Sequence, residues 1–185
     1  MGLSPKEMHA RIIENLGSKT GRDLSEWLKI AESLDQSSTE KERIARLKKD
    51  WDLGHYTAVA IVKELTTGNE YNDDKRLIDA LFKPGTEARS VYGSVDQWLC
   101  SQENVERVPC KTYVGYRAHR QFAVVRPGKN STLEVGLTLP PDQSSSLALS
   151  KGFGSARIQS KFLMNSPEIS EQDRALLTAA IADAV

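Results

Sequence analysis

The apolar period of this chain changes from 3.6 residues to 2 near residue 105. A 3.6 period puts apolar side chains on one stripe of a helix, and a period of 2 puts them on one face of a strand. Helices followed by strands, without regular alternation, select an α+β architecture over a doubly wound parallel sheet. The expected layout is a helical domain over 1–66 and an α+β domain over 67–185, whose antiparallel sheet of four to five strands packs with helices.

The first domain reads as a small four-helix bundle. Ser4-Pro5-Lys6-Glu7 is a capping box with proline at the first helical position, and Gly17 is the expected stop. Asp23 to Glu26 and Thr39 to Glu42 repeat the start signal. Leu53-Gly54-His55 is a tight turn before a fourth helix over Thr57 to Leu65. Trp27, Trp51 and Trp98 fall on apolar stripes and read as core residues. The pair of helices around Gly54 also has helix-turn-helix dimensions. A DNA reader needs polar residues on the second helix, and here that helix is mostly Ala, Val, Ile and Leu, so packing explains it better.

The polar stretch from Thr66 to Glu70 marks the boundary. Helices are expected from Asp73 to Phe82 and from Thr86 to Ser101. Strands are expected over Val105 to Val108, Thr112 to Tyr116, Gln121 to Arg126 and Leu133 to Leu139. A fifth runs from Ala156 to Leu163, after a long loop at Pro140 to Ser146. Ser166-Pro167-Glu168 is expected to open a terminal helix.

Charge is distributed unevenly. Residues 107–167 hold nine basic and two acidic side chains, although the whole chain is neutral. Residues 67–106 and 168–185 are acidic in compensation. Such a distribution makes overall charge a poor guide to partners. Period-2 geometry puts Lys111, Tyr113 and Arg117 on one strand face, joined by Arg120 at a turn and by Arg157 and Lys161 from the last strand. Arginine holds phosphate through two N–H donors, and tyrosine stacks on bases, so these six residues are the candidate contact surface for nucleic acid or a phosphorylated small molecule. The competing reading is a solvated face whose cations pair with the acidic helices. Self-association through that face, giving a homo-oligomer, is a further alternative.

Recognisable chemistry is otherwise sparse. His9, His55 and His119 lack a second ligand at helical spacing, and the two cysteines lack histidines at zinc-site spacing, so no metal is expected. No nucleophile elbow, phosphate loop or cofactor motif is present, leaving an enzyme only if its groups converge in space. No run of about 18 apolar residues suggests a membrane span. The first residues do not read as a secretion signal. With Cys100 and Cys110 as buried or partly buried free thiols, a soluble cytoplasmic protein is expected.

Both halves of the chain carry a resemblance. Ser4 to Met8, Lys19 to Trp27 and Leu53-Gly54-His55 resemble a small helical bacterial domain of unknown function. Lys111 to Tyr116 and Arg120 to Ala123 resemble a second uncharacterised domain. The resemblance implies a two-domain family whose second domain is sometimes fused to nuclease-like domains and has been labelled a predicted transport protein. It implies no catalytic residues.

Overall fold

The computed structural model describes residues 3–34, 37–68, 72–151, 153 and 155–185. The chain divides into two compact units between Asn72 and Asp73.

The first unit is helical: α1 (Pro5–Glu14), α2 (Leu16–Thr20), α3 (Leu24–Ser33), α4 (Glu40–Trp51) and α5 (His55–Thr66). The capping boxes at Ser4, Asp23 and Thr39 all form, each with reciprocal side-chain and backbone bonds. Each such cap contributes about 1 kcal/mol by satisfying otherwise orphaned amides. Gly17 does not end the first helix. The chain kinks at Asn15, continues through Gly17, and stops at Gly21, whose φ of 74° suits a residue without Cβ. The expected single helix is therefore two, and five helical segments stand where a four-helix bundle is expected. Leu16, Trp27, Ala31, Leu47, Ala58, Ile61 and Val62 form the core. Ala58, Ala60, Ile61 and Val62 of α5 are buried in the unit. His9 Nε2 lies 2.7 Å from Glu64 Oε1, tying α1 to α5.

The second unit is α+β. Its helices are α6 (Asp74–Leu81), α7 (Glu87–Cys100) and α8 (Glu171–Ala184). Its strands are β1 (Glu106–Pro109), β2 (Val114–Arg117), β3 (Gln121–Pro127), β4 (Leu133–Leu137), β5 (Ala148–Leu149) and β6 (Ser160–Met164). They form one antiparallel sheet in the order β1-β2-β3-β4-β6-β5. Six strands replace the expected four to five, because Ala148–Leu149 adds an edge strand inside what reads as loop. The Pro140 to Ser146 loop contains a 3-10 turn at Pro141–Gln143. The terminal helix starts at Ser170, which accepts from the Asp173 amide, and not at Ser166.

One sheet face is covered by helices. Val114, Tyr116, Ala123, Val125, Leu133, Val135, Leu137 and Phe162 pack there against Val91, Val95, Leu99, Leu176 and Leu177. Fully burying each Leu, Val or Phe contributes roughly 1.5–3 kcal/mol. A bulge between Tyr116 and Arg117 lets Phe122 and Ala123 both join this core. The opposite, outer face carries a smaller cluster of Val124, Phe153 and Ile158, with Tyr113 packed beside it. Ala156 to Gln159 are not strand, which sends Ile158 to the outer face while Ser160 and Phe162 keep the inner register.

Gly136 permits that arrangement. A Cβ there would stand 2.6 Å from Ile158 Cγ2 and 2.8 Å from Phe153 Cδ1. Carbon atoms pack at about 3.5–4.0 Å, so even alanine forces the overlying segment away. Gly136→Ala should lower stability by about 1–3 kcal/mol. Combining it with Phe153→Ala should cost less than the sum of the two single changes, measured by urea unfolding.

Candidate functional site

The six predicted contact residues occupy four different settings in the second unit. Arg117 and Lys161 lie on the outer face, where Arg117 Nε donates to Glu106 Oε2 at 2.8 Å. Glu106 is its cross-strand partner, and 63% of that carboxylate side chain is exposed. Lys161 Nζ donates to Glu134 Oε1 at 2.8 Å, and Arg126 Nε donates to Glu134 Oε2 at 2.6 Å. Arg120 sits at the far end of α8. Its Nη2 donates to the Asp183 carbonyl at 2.6 Å, and its amide donates to Ala184. A cation there also offsets the negative end of the helix dipole. Lys111 is exposed in the β1–β2 connection, Tyr113 follows it half-buried, and Arg157 is exposed in the segment crossing the outer face.

Sequence reasoning expects these cations to pair either with the acidic helices or with a ligand. The paired carboxylates come mostly from the sheet itself. Arg107 is the exception: it turns to the helical side, where its Nη1 donates to Asp96 Oδ2 at 2.7 Å. Tyr116 Oη donates to the other Asp96 oxygen at 2.8 Å. Burial pushes the Tyr116 phenol well above its ordinary range, and nearby Tyr92 and Asp96 add to that, so it stays a donor. Cys100, exposed at the end of α7, lies 3.7 Å from Asp96 Oδ1. Burial and that carboxylate raise its thiol, which disfavours a nucleophilic thiolate. Cys110 is buried, and both cysteines are free.

Tyr113, Val124, Phe153 and Ile158 draw three cation-bearing segments together. Lys111 is two residues before Tyr113, Arg157 is next to Ile158, and the Arg126 guanidinium lies 4.1 Å from the Phe153 ring centroid. Arg126 and Phe153 are therefore additions to the predicted set. An alternating pattern could flag Arg126, but Phe153 follows no period and carries no such signal.

The first unit holds a cleft of about 410 Å³. Its walls include Lys19, Arg22, Trp27, Trp51, Gly54 and Thr57. Thr20 Oγ1 donates to the Leu16 carbonyl and accepts from Trp27 Nε1 at 2.8 Å. Trp27 thus buries its ring with its N–H satisfied. Among the described residues no group of His, Cys, Asp and Glu could hold a metal ion, and no helix is long and apolar enough to cross a membrane.

Burial pushes the Glu134 carboxyl up, but the bonds from Lys161 and Arg126 outweigh that, and it titrates below the usual carboxylate range. A depressed folded-state pKa contributes stability above the unfolded value and loses it as pH falls through the folded one. Glu134→Gln should therefore cost about 1–2 kcal/mol at neutral pH. Denaturant unfolding across the acid range should show that difference shrinking as the wild-type carboxyl protonates.

Residues 8–67 match a domain of unknown function (DUF4287), and residues 79–184 match another domain of unknown function (DUF5655). No curated protein and no solved structure matches the chain. The first match falls within the helical unit and the second within the α+β unit. The second spans more than half of the chain, which belongs to the DUF5655 family with a DUF4287 domain ahead of it.

Proposed function

We propose that the protein is a non-catalytic binding module whose second unit contacts an anionic polymer, nucleic acid, through the outer face of its sheet. The observation that supports this reading is the small outer cluster around Phe153, which gathers Lys111, Arg126 and Arg157 from three separate segments. A sheet face carrying cations beside an aromatic side chain is one way single-stranded nucleic acid is held. Tyr113 is the aromatic on offer, being half-buried where Phe153 is covered. Arg117 is 17% exposed and bonded to Glu106, whose side chain is 63% exposed, so its part is chiefly to add positive charge to the face. Lys161 and Arg120 are committed to Glu134 and to α8, and their part is long-range attraction.

A second reading, self-association, draws on the sheet edge. Edge strand β5 exposes Leu149, and its neighbour β6 exposes Leu163, at 59% and 61%. Exposed apolar edges invite pairing with another chain.

Fluorescence anisotropy with labelled single-stranded and duplex oligonucleotides at about 50 mM salt tests the first reading. Affinity should fall steeply with salt as phosphate contacts release counterions. Lys111→Glu and Arg157→Glu should weaken it more than Arg120→Glu does. Absence of association at low salt would end the proposal. Concentration-dependent size in light scattering, without nucleic-acid binding, would favour the second reading.

A further inference from the structure

The cleft of the helical unit is a separate matter from the sheet, and its cations are placed differently. Lys19 and Arg22 form no ion pair among the described residues. The Arg22 guanidinium instead lies over the Trp27 ring, 5.3 Å from its centroid. Trp27 is 1% exposed and meets Trp51 edge to face, with ring centroids 6.3 Å apart at 86°. The ring under the guanidinium is therefore fixed from both sides, by Thr20 through its N–H and by Trp51 through its edge. A guanidinium held over a fixed ring by cation–π attraction is partly ordered before any anion arrives, and its planar fork of donors loses less freedom per bond formed.

Another part of the wall belongs to the α4–α5 connection. Asp52 takes φ 51° to end α4, and Gly54 opens α5 without a side-chain cap. Gly54 and Thr57 line the cleft, at the start of α5, where the first amides of a helix have no intrahelical partner. Asp52 contributes one carboxylate to the wall against the two cations. At about 410 Å³ the space falls in the range of small-molecule sites, roughly 300–1,000 Å³.

We propose that this cleft binds a small phosphate monoester of about mononucleotide size, with the phosphate held by Arg22 and Lys19 and the body of the ligand against Trp51. Phosphate suits it because the arginine fork offers paired donors and lysine a point charge, with neither yet neutralised. The site draws on residues 19–27 and on Leu53 and Gly54, which fall within two of the three segments that carry the resemblance of the helical domain, and the fold joins them around one space.

Tryptophan emission reads the site directly. The chain has three tryptophans, so Trp98→Phe in the full-length protein leaves only Trp27 and Trp51 to report. Titration with adenosine monophosphate and with ribose 5-phosphate should give a saturable change in emission. Arg22→Gln should weaken binding at least about tenfold, the loss expected for one charge-assisted contact. Arg22 is exposed, and circular dichroism checks that the variant folds; Lys19→Gln carries the same test should it not. The proposal fails if neither phosphate ester produces a saturable change up to about 10 mM, well into the weak-binding regime. It fails equally if adenosine binds as well as its phosphate, or if the response survives Arg22→Gln and Lys19→Gln undiminished.

Discussion

Glu134 accepts from Arg126 at 2.6 Å and from Lys161 at 2.8 Å, so β3, β4 and β6 are joined side chain to side chain across the face the helices leave open. Arg126 is also held over Phe153, whose ring lies on the sheet because residue 136 has no Cβ. The charge triad and the apolar cover are thus one construction. Arg126 belongs to both, with its stem and plane on the ring and its donor on the carboxylate. Removing the carboxylate would leave two cations facing each other at the centre of the face. Like charges on neighbouring strands are destabilising, and here no other described carboxylate is bonded to Lys161.

Much of the fold is legible in the sequence because its strongest signals are local. Three capping boxes and the alternation of Leu133, Val135 and Leu137 act within a few residues, and all appear as expected. The departures have non-local causes. Gly17 continues a helix because Gly21 supplies the positive φ, and the chain prefers the later glycine once Leu16 is buried. Ala156 to Gln159 keep an alternating pattern yet do not pair as strand, because Phe153 and Ile158 are drawn onto Val124 across the uncovered face. Ala148–Leu149 has no strand signature of its own and pairs because β6 offers an open edge.

The candidate surface is legible in part for a similar reason. Composition reveals an excess of cations over 107–167, but not which carboxylate meets each one. Glu106 faces Arg117, and Glu134 lies between Arg126 and Lys161, only through register, and register is set by the whole sheet. The bulge after Tyr116 adds another shift that no propensity records. The cleft of the helical unit is harder still to foresee. Its walls come from segments some thirty residues apart, and Trp27 and Trp51 satisfy a core reading before they suggest a pocket.

The two cationic sites differ in what an arriving anion must displace. At Arg117, Arg126 and Lys161 on the sheet, an anion competes with a carboxylate already in place, so binding there exchanges one charge-assisted bond for another and yields little net gain per contact. Such a surface gains from many weak exchanges along a polymer, each releasing counterions, and from the field of the remaining excess charge. In the cleft, Arg22 and Lys19 form no ion pair among the described residues, Asp52 is the one carboxylate in the wall, and the guanidinium over Trp27 has already lost part of its freedom. A single phosphate group can then gain both contacts without displacing a protein partner. On the proposed readings the sheet would meet an extended partner through summed charge, and the cleft a small one held at a point.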